Sequence, residues 1–149
     1  MRMKLVQEQQ EFLDKRLAEL ALVQPQILEL RDILLNIGGC HVVAPSRPEP
    51  DLSDLISHGG LIQGDILFDE MARNSCHWNV AEVWKSDSSP VIAIGTGYAL
   101  SEDGLWRQHT WGITASGIFE TTEIRHTYYG IRLDRDQAAM FASRHSNDQ

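Results

Sequence analysis

Three residue types able to do thiol chemistry occur in one chain order in the second half of this sequence. Cys76 lies in Asn74-Ser75-Cys76-His77-Trp78-Asn79. His109 lies in Arg107-Gln108-His109-Thr110-Trp111. A carboxylate follows in Phe119-Glu120-Thr121-Thr122-Glu123. A thiolate nucleophile needs these three parts: the sulfur, a base or counter-cation, and a group that orients the imidazole. The question for the rest of the chain is whether its elements bring the three together.

Cys76 to about Lys85 has a helical pattern, with Trp78, Ala81 and Val83-Trp84 as its apolar positions. Asn74 or Ser75 is the expected N-cap. A cysteine at a helix start sits among unpaired amides and the positive end of the macrodipole, which favour the thiolate. The opposing reading is a small buried hydrophobe, the usual role of an unmodified cysteine. Ser86 to Pro90 is a turn. Val91 to Leu100 reads as a buried strand, Ser101-Glu102-Asp103-Gly104 as a hairpin turn, and Leu105 to Thr114 as the next strand. Ala115-Ser116-Gly117 turns into a third strand, Ile118 to Ile124. Tyr128 to Leu133 is expected as a fourth, and Asp134 to Phe141 as a short helix.

Strand alternation selects the carboxylate. Leu105, Arg107, His109, Trp111 and Ile113 share one face. A two-residue turn at Ala115-Ser116 sets Thr114 opposite Gly117 and Trp111 opposite Glu120, which puts Glu120 diagonal to His109. A slip by one residue would offer Glu123 instead. Ile118, Glu120, Thr122 and Ile124 share a face bracketed by apolar residues, where a carboxylate is costly without a partner. Glu120 is therefore preferred over Glu123, with an exposed strand glutamate as the alternative.

Upstream, Leu13, Leu17, Leu20 and then Ile27, Leu30, Leu34, Ile37 recur at helical spacing. Pro25 suits a helix start and breaks an interior, so two helices are expected, near 3–23 and 25–37, or one kinked helix. Gly38-Gly39 ends the second. The first is either a packing helix or a dimerisation or partner surface. Residues 44–60, with three prolines between Pro45 and Pro50, read as a loop. A short turn toward Ile56 is capped there by Asp51 or Ser53. Leu61 to Met71 fits neither period cleanly. The expected fold class is α+β: a helical N-terminal part, a helix opening at Cys76, then an antiparallel β-meander. The expected division is an N-terminal helical extension over 1–39, an α+β domain over 40–142, and a flexible tail over 143–149.

The cysteine at a helix start, Gly97-Tyr98 on a strand, His109-Thr110-Trp111-Gly112-Ile113 on the next, and Ile118-Phe119-Glu120-Thr121-Thr122 on the one after resemble the transglutaminase-like branch of the papain-like cysteine hydrolases. The resemblance covers about residues 74–124. The sequence carries Glu120 where that family usually has aspartate, and Thr121 where it has proline. The resemblance implies a papain-like core with Cys76 as nucleophile, His109 as general base and acid, and Glu120 as the orienting carboxylate. It further implies a protein, peptide or small amide substrate, with hydrolysis, deamidation or transamidation as outcomes, and no cofactor. The Cys76 amide would be one oxyanion donor, with Asn74, His77 or Asn79 supplying or shaping another.

Other readings compete. Cys40-His41, Cys76-His77, His58 and His109 are types that zinc favours, but adjacent Cys-His pairs lack the usual ligand spacing. A transferase or nucleotide-modifying site would draw on His126, Tyr128 or Tyr129 with a glutamate, although Gly95-Thr96-Gly97 has neither the third glycine nor the lysine of a phosphate loop. A non-enzymatic interaction module would use Trp78, Trp84, Trp106 and Trp111 to line a pocket or groove around the same place.

Composition bounds all of these. With 149 residues, 42% hydrophobic and 23% charged, the chain matches one globular domain with room for a core. A formal charge of −8 argues against general nucleic-acid or anionic-membrane binding, whose sequence-independent part comes from Lys and Arg. The first residues turn polar too soon for a signal peptide, and no apolar run approaches membrane-spanning length. Two cysteines make no disulfide framework. The expected location is the cytoplasm, with export as a signal-less effector the alternative.

Overall fold

Leucines at 13, 17 and 20 form one stripe of α1 (Gln7–Val23), and Ile27, Leu30 and Leu34 form one stripe of α2 (Ile27–Ile37). The computed structural model describes residues 6–73, 75–86 and 88–146. Pro25 lies in the turn between the two helices, which are separate as expected. After β1 (His41–Val42), the proline-rich stretch leads into a short α3 (Leu52–His58), whose apolar anchors are Leu52 and Leu55. This helix occupies part of the region read from sequence as loop. The undecided segment from Leu61 is extended: β2 (Gly60–Ile62) and β3 (Asp65–Phe68). Next come α4 (Cys76–Lys85), β4 (Ala93–Leu100), β5 (Leu105–Ile113), β6 (Gly117–Glu120), β7 (Thr127–Arg132) and α5 (Arg135–Ser146).

The fold is α+β, with a mixed sheet in the order β2-β7-β4-β5-β6-β3 and β1 added beside β5. The antiparallel meander expected from sequence covers only β4, β5 and β6. The fourth strand does not extend it: β7 returns to pair antiparallel with β4. Two pairings are parallel, β1 with β5 and β3 with β6. The helix expected to stop near Phe141 continues through Ser146, so 143–146 is helical rather than tail. Residues 147–149 of the expected tail lie outside the described residues.

β2 and β3 lie at opposite ends of the sheet order, yet only Gln63 and Gly64 separate them. They are two halves of one broken strand. The first half pairs with β7 and the second with β6, which rolls the sheet into a small barrel. Gly64, at φ 138°, makes the break.

Alternation then gives the barrel an inside and an outside. Ala93, Ala99, Trp111, Ile113, Ile118 and Tyr128 pack together inside, against Ile62. Their neighbours Ile94, Tyr98, Leu100, Trp106, Tyr129 and Ile131 face outward into a larger core. Leu17, Leu20, Leu30 and Leu34 of the first two helices belong to that same core, as do Val80 of α4 and Phe141 of α5. The N-terminal helices are thus one layer of the structure. The opposite side of α1 leaves Phe12, Leu22 and Val23 exposed.

The interior is narrow. At Gly95 a Cβ would stand 2.2 Å from the Trp111 indole nitrogen, so glycine there is what lets Trp111 fill the barrel. No helix among the described residues is long and apolar enough to cross a membrane.

Candidate active site

One flank of β5 is incomplete. β4 pairs along the whole of the other flank, from Trp106 to Ile113. On the open flank β1 pairs only with Leu105 and Trp106, and β6 only with Gly112 and Ile113. Among the described residues, no strand lies beside the stretch between, which includes His109, on that side. The N-terminus of α4 packs there instead. From it His77 reaches the Thr110 hydroxyl, and Cys76 lines the same cleft as His109, close enough for the imidazole to draw down the thiol. The helix start and the hairpin face each other because a strand is missing where they meet.

The hairpin has the register expected from the two-residue turn. Gly112 lies opposite Phe119 and Ile113 opposite Ile118. That brings Glu120 to the inner face beside His109, with His109 Nε2 at 2.9 Å from Glu120 Oε1. Both side chains are buried, at 3% and 0% exposure. Glu123, the alternative, is 69% exposed and 3.9 Å from the Arg125 guanidinium. β6 ends at Glu120 rather than running on to Ile124, and the chain folds back over the carboxylate.

Every lone-pair direction of Glu120 is taken up. Oε1 also accepts from the Tyr128 hydroxyl at 2.7 Å. Oε2 accepts from the Thr121 and Thr122 amides at 3.0 Å each, and from the Thr122 hydroxyl at 3.1 Å. The Arg125 guanidinium ties this loop down through Thr122 Oγ1 at 3.3 Å and Ser101 Oγ at 3.0 Å. Burial would raise the carboxyl, but the His109 contact, its charge and the other donors outweigh that and hold it at about 2. The group is a fixed anion.

The other two groups follow from this anion. Burial would lower the His109 imidazole. The Cys76 and Glu120 hydrogen bonds and charges raise it to about 9. Burial would raise the Cys76 thiol. The hydrogen bonds and charges of His109 and His77 pull it down to about 5. Between those limits the pair is a thiolate and an imidazolium. Since Nε2 is committed to Glu120, Nδ1 is the nitrogen left for the sulfur.

The first amides of α4 add a further element. The helix opens at Cys76, and Ser75 makes no side-chain cap. Its hydroxyl instead donates to the Arg73 carbonyl at 3.3 Å. Among the described residues, the amide of Asn79 closes the first turn of α4 by donating to Ser75 O at 2.8 Å. The amides of Cys76 and His77 belong to the first turn, whose N–H groups a helix leaves without intrahelical acceptors. Asn74, the other expected cap, lies outside the described residues. Asn79 is fully buried and donates to the Ala72 carbonyl at 2.8 Å, so it supports the approach to the helix.

Cys76, His77 and His109 line a cleft of about 1160 Å³, together with Arg107 and Arg125 and the apolar Phe68, Trp78 and Ile124. The four tryptophans do not gather here as expected. Trp78 lines the cleft, and Trp111 lies beside His109 with ring centroids 6.0 Å apart. Trp106 and Trp84 belong to the helical core. His126 is exposed and Tyr129 donates to the Leu55 carbonyl at 3.0 Å, so neither joins the cleft. Neither Cys40 nor Cys76 forms a disulfide. His41 is bound to Asp14 at 2.6 Å. Among the described residues no group of three or more His, Cys, Asp or Glu side chains is placed to hold a metal ion.

Two participants were not singled out for these roles from sequence. Tyr128 entered only in a competing reading, yet its hydroxyl completes the Glu120 cage. The sequence offers His77 as a contributor to an oxyanion site or as half of a Cys-His pair for zinc, yet its Nδ1 is 3.7 Å from the Cys76 sulfur. Adjacency to Cys76 was the signal available for His77. No local pattern marks Tyr128, because its contact depends on β7 crossing back to β4. No protein-family model, curated protein or solved structure matches this chain.

Proposed function

We propose that this protein is a cysteine-dependent hydrolase or acyltransferase acting on amide bonds, with Cys76 as nucleophile, His109 as acid and base, and Glu120 as the orienting carboxylate. The observation that carries the reading is the buried His109–Glu120 pair, 2.9 Å apart, beside a cleft that both His109 and Cys76 line, with the thiol drawn down by the neighbouring imidazoles. Together these are the parts of the transglutaminase-like and papain-like arrangement, with glutamate in the third position.

The chemistry follows from those parts. The thiolate attacks the carbonyl carbon of an amide held in the cleft. The carbonyl oxygen takes the negative charge, and the Cys76 amide at the helix start donates to it. His109 gives its Nδ1 proton to the departing amine, the C–N bond breaks, and a thioester remains on Sγ. The now neutral imidazole takes a proton from water or from an acceptor amine as that group attacks the thioester. The sulfur leaves as thiolate, and His109 is again an imidazolium. Glu120 keeps its charge throughout and fixes the ring with Nε2–H toward itself. Water as acceptor gives hydrolysis or deamidation, and an amine gives transamidation.

Alkylation by iodoacetamide tests the nucleophile without a known substrate. The pH profile of Cys76 labelling should rise through about 5, where the thiol ionises, rather than near the ordinary value of about 8.5. At pH 6 the thiolate fraction would exceed that of a simple thiol by about 300-fold. Its lower intrinsic nucleophilicity takes back about 40-fold, leaving roughly a tenfold advantage over an ordinary peptide cysteine. A Cys76 that stays inert in the folded protein would point to the interaction-module reading instead.

A further inference from the structure

Cys76 has a second imidazole beside it that the reaction above leaves unused. His77 Nδ1 lies 3.7 Å from the sulfur. The same nitrogen meets the hydroxyl of Thr110, which is fully buried and pairs with the Thr96 hydroxyl at 3.1 Å. The ring is held from behind as well. Phe141 meets it edge-on at 5.6 Å and His145 lies at 4.9 Å, both from α5. Four elements therefore fix this imidazole: its own helix, β4 and β5 through the two threonines, and α5.

We propose that His77 is a second site residue, whose Nδ1–H, held by the Thr110 hydroxyl, also donates to the Cys76 thiolate, so that the sulfur sits between two imidazoles. This rests on the reading of Cys76 as the nucleophile. Thr110 gives its own proton to Thr96, which leaves Thr110 Oγ1 as an acceptor for His77. The two imidazoles then divide the work. His109 moves protons, and its charge changes through the cycle. His77 transfers none. It stays a donor when His109 is neutral, which is the stage at which the thioester breaks down and the sulfur must leave. A thiolate stabilised at that stage is a better leaving group and, per ion, a weaker nucleophile. His77 thus favours release of the acyl group over its accumulation on Cys76.

The charged and titratable groups around this ring and sulfur are His109 and Arg107 of β5, Asp51 ahead of α3, and Arg144 and His145 of α5. None of them is changed in the test. His77→Phe keeps an aromatic ring against Phe141 and removes the N–H. His77→Gln keeps a donor. The readout is the midpoint of the pH profile for Cys76 alkylation, with the melting temperature as a control. His77→Phe should move the midpoint up by about one pH unit, with His77→Gln in between. A His77→Phe protein that melts normally and keeps the wild-type midpoint overturns the role of His77. A wild-type midpoint near that of a simple thiol instead sinks the assignment of Cys76, so the two failures are distinct. Should His77→Phe not fold, histidine labelled with nitrogen-15 in the wild type decides. The Nδ1 resonance of His77 should shift when Cys76 is alkylated, and an unmoved resonance rejects the contact.

Discussion

Cys76→Ala should remove all thiol-dependent acyl transfer while leaving the melting temperature within a few degrees of wild type. The assay is a panel of peptide anilides and glutamine-containing peptides, reading aniline or ammonia release. The side chain lines a cleft, so trimming it to a methyl removes no core packing and strands no donor that water cannot reach. Loss of a nucleophile in such triads costs on the order of 10⁴-fold or more in turnover. His109→Ala should do the same and, in addition, return the thiol toward about 8.5, cutting the thiolate fraction at pH 6 by about a hundredfold. That variant also deprives Glu120 of its cation, so it should melt lower than Cys76→Ala. A Cys76→Ala protein that fails to fold would make the residue structural, and one that keeps its turnover would show that Cys76 is not the nucleophile.

The largest effect on stability is expected at Glu120. Replacing it with alanine strands the Tyr128 hydroxyl, the amides of Thr121 and Thr122, and His109, in a place with 0% exposure. Breaking a buried pair of this kind costs about 3–5 kcal/mol. For a chain of this size that is a fall in melting temperature of about 10 °C or more. Glu120→Gln keeps the shape and part of the acceptor capacity, so it should cost less stability while still weakening turnover, because an amide cannot hold an imidazolium as a carboxylate does. The pH dependence follows from the direction of the shift. The folded-state value, about 2, lies below the unfolded value of about 4.3, so the stability Glu120 contributes is fully present above the latter. It is lost as pH falls through about 2. Urea unfolding at pH 5 and pH 3 should therefore show a smaller acid loss in Glu120→Gln than in wild type. Equal losses in the two proteins would mean that the carboxylate is not held as an anion.

The pairing of His109 with Glu120 was legible because it depends on local features. A two-residue turn fixes the register, and one period-two pattern selects the face. The helix opening at Cys76 was legible for the same reason, since a polar N-terminal signal and an apolar stripe lie within ten residues. The return of β7 to β4 and the parallel pairings were not. β1 spans two residues and β3 four, too short to carry a period of their own. Their partners are set by barrel closure, which no stretch of sequence contains. Trp106 and Trp111 show the same limit. They were read as members of one aromatic cluster, yet the odd spacing between them puts one in the helical core and the other inside the barrel.

The broken strand at Gly64 sets a hierarchy of local opening. β3 is exposed along its whole length and pairs with β6 alone. Its amides should exchange with solvent hydrogen sooner than those of β4, which is buried throughout and paired on both sides. β3 is also the strand paired with the Glu120 backbone, where Phe68 is its register partner. Exchange that starts at this seam therefore reaches the carboxylate before it reaches the rest of the barrel. On that account the lifetime of the oriented imidazole is governed by a subglobal fluctuation, shorter than the lifetime of the fold as a whole.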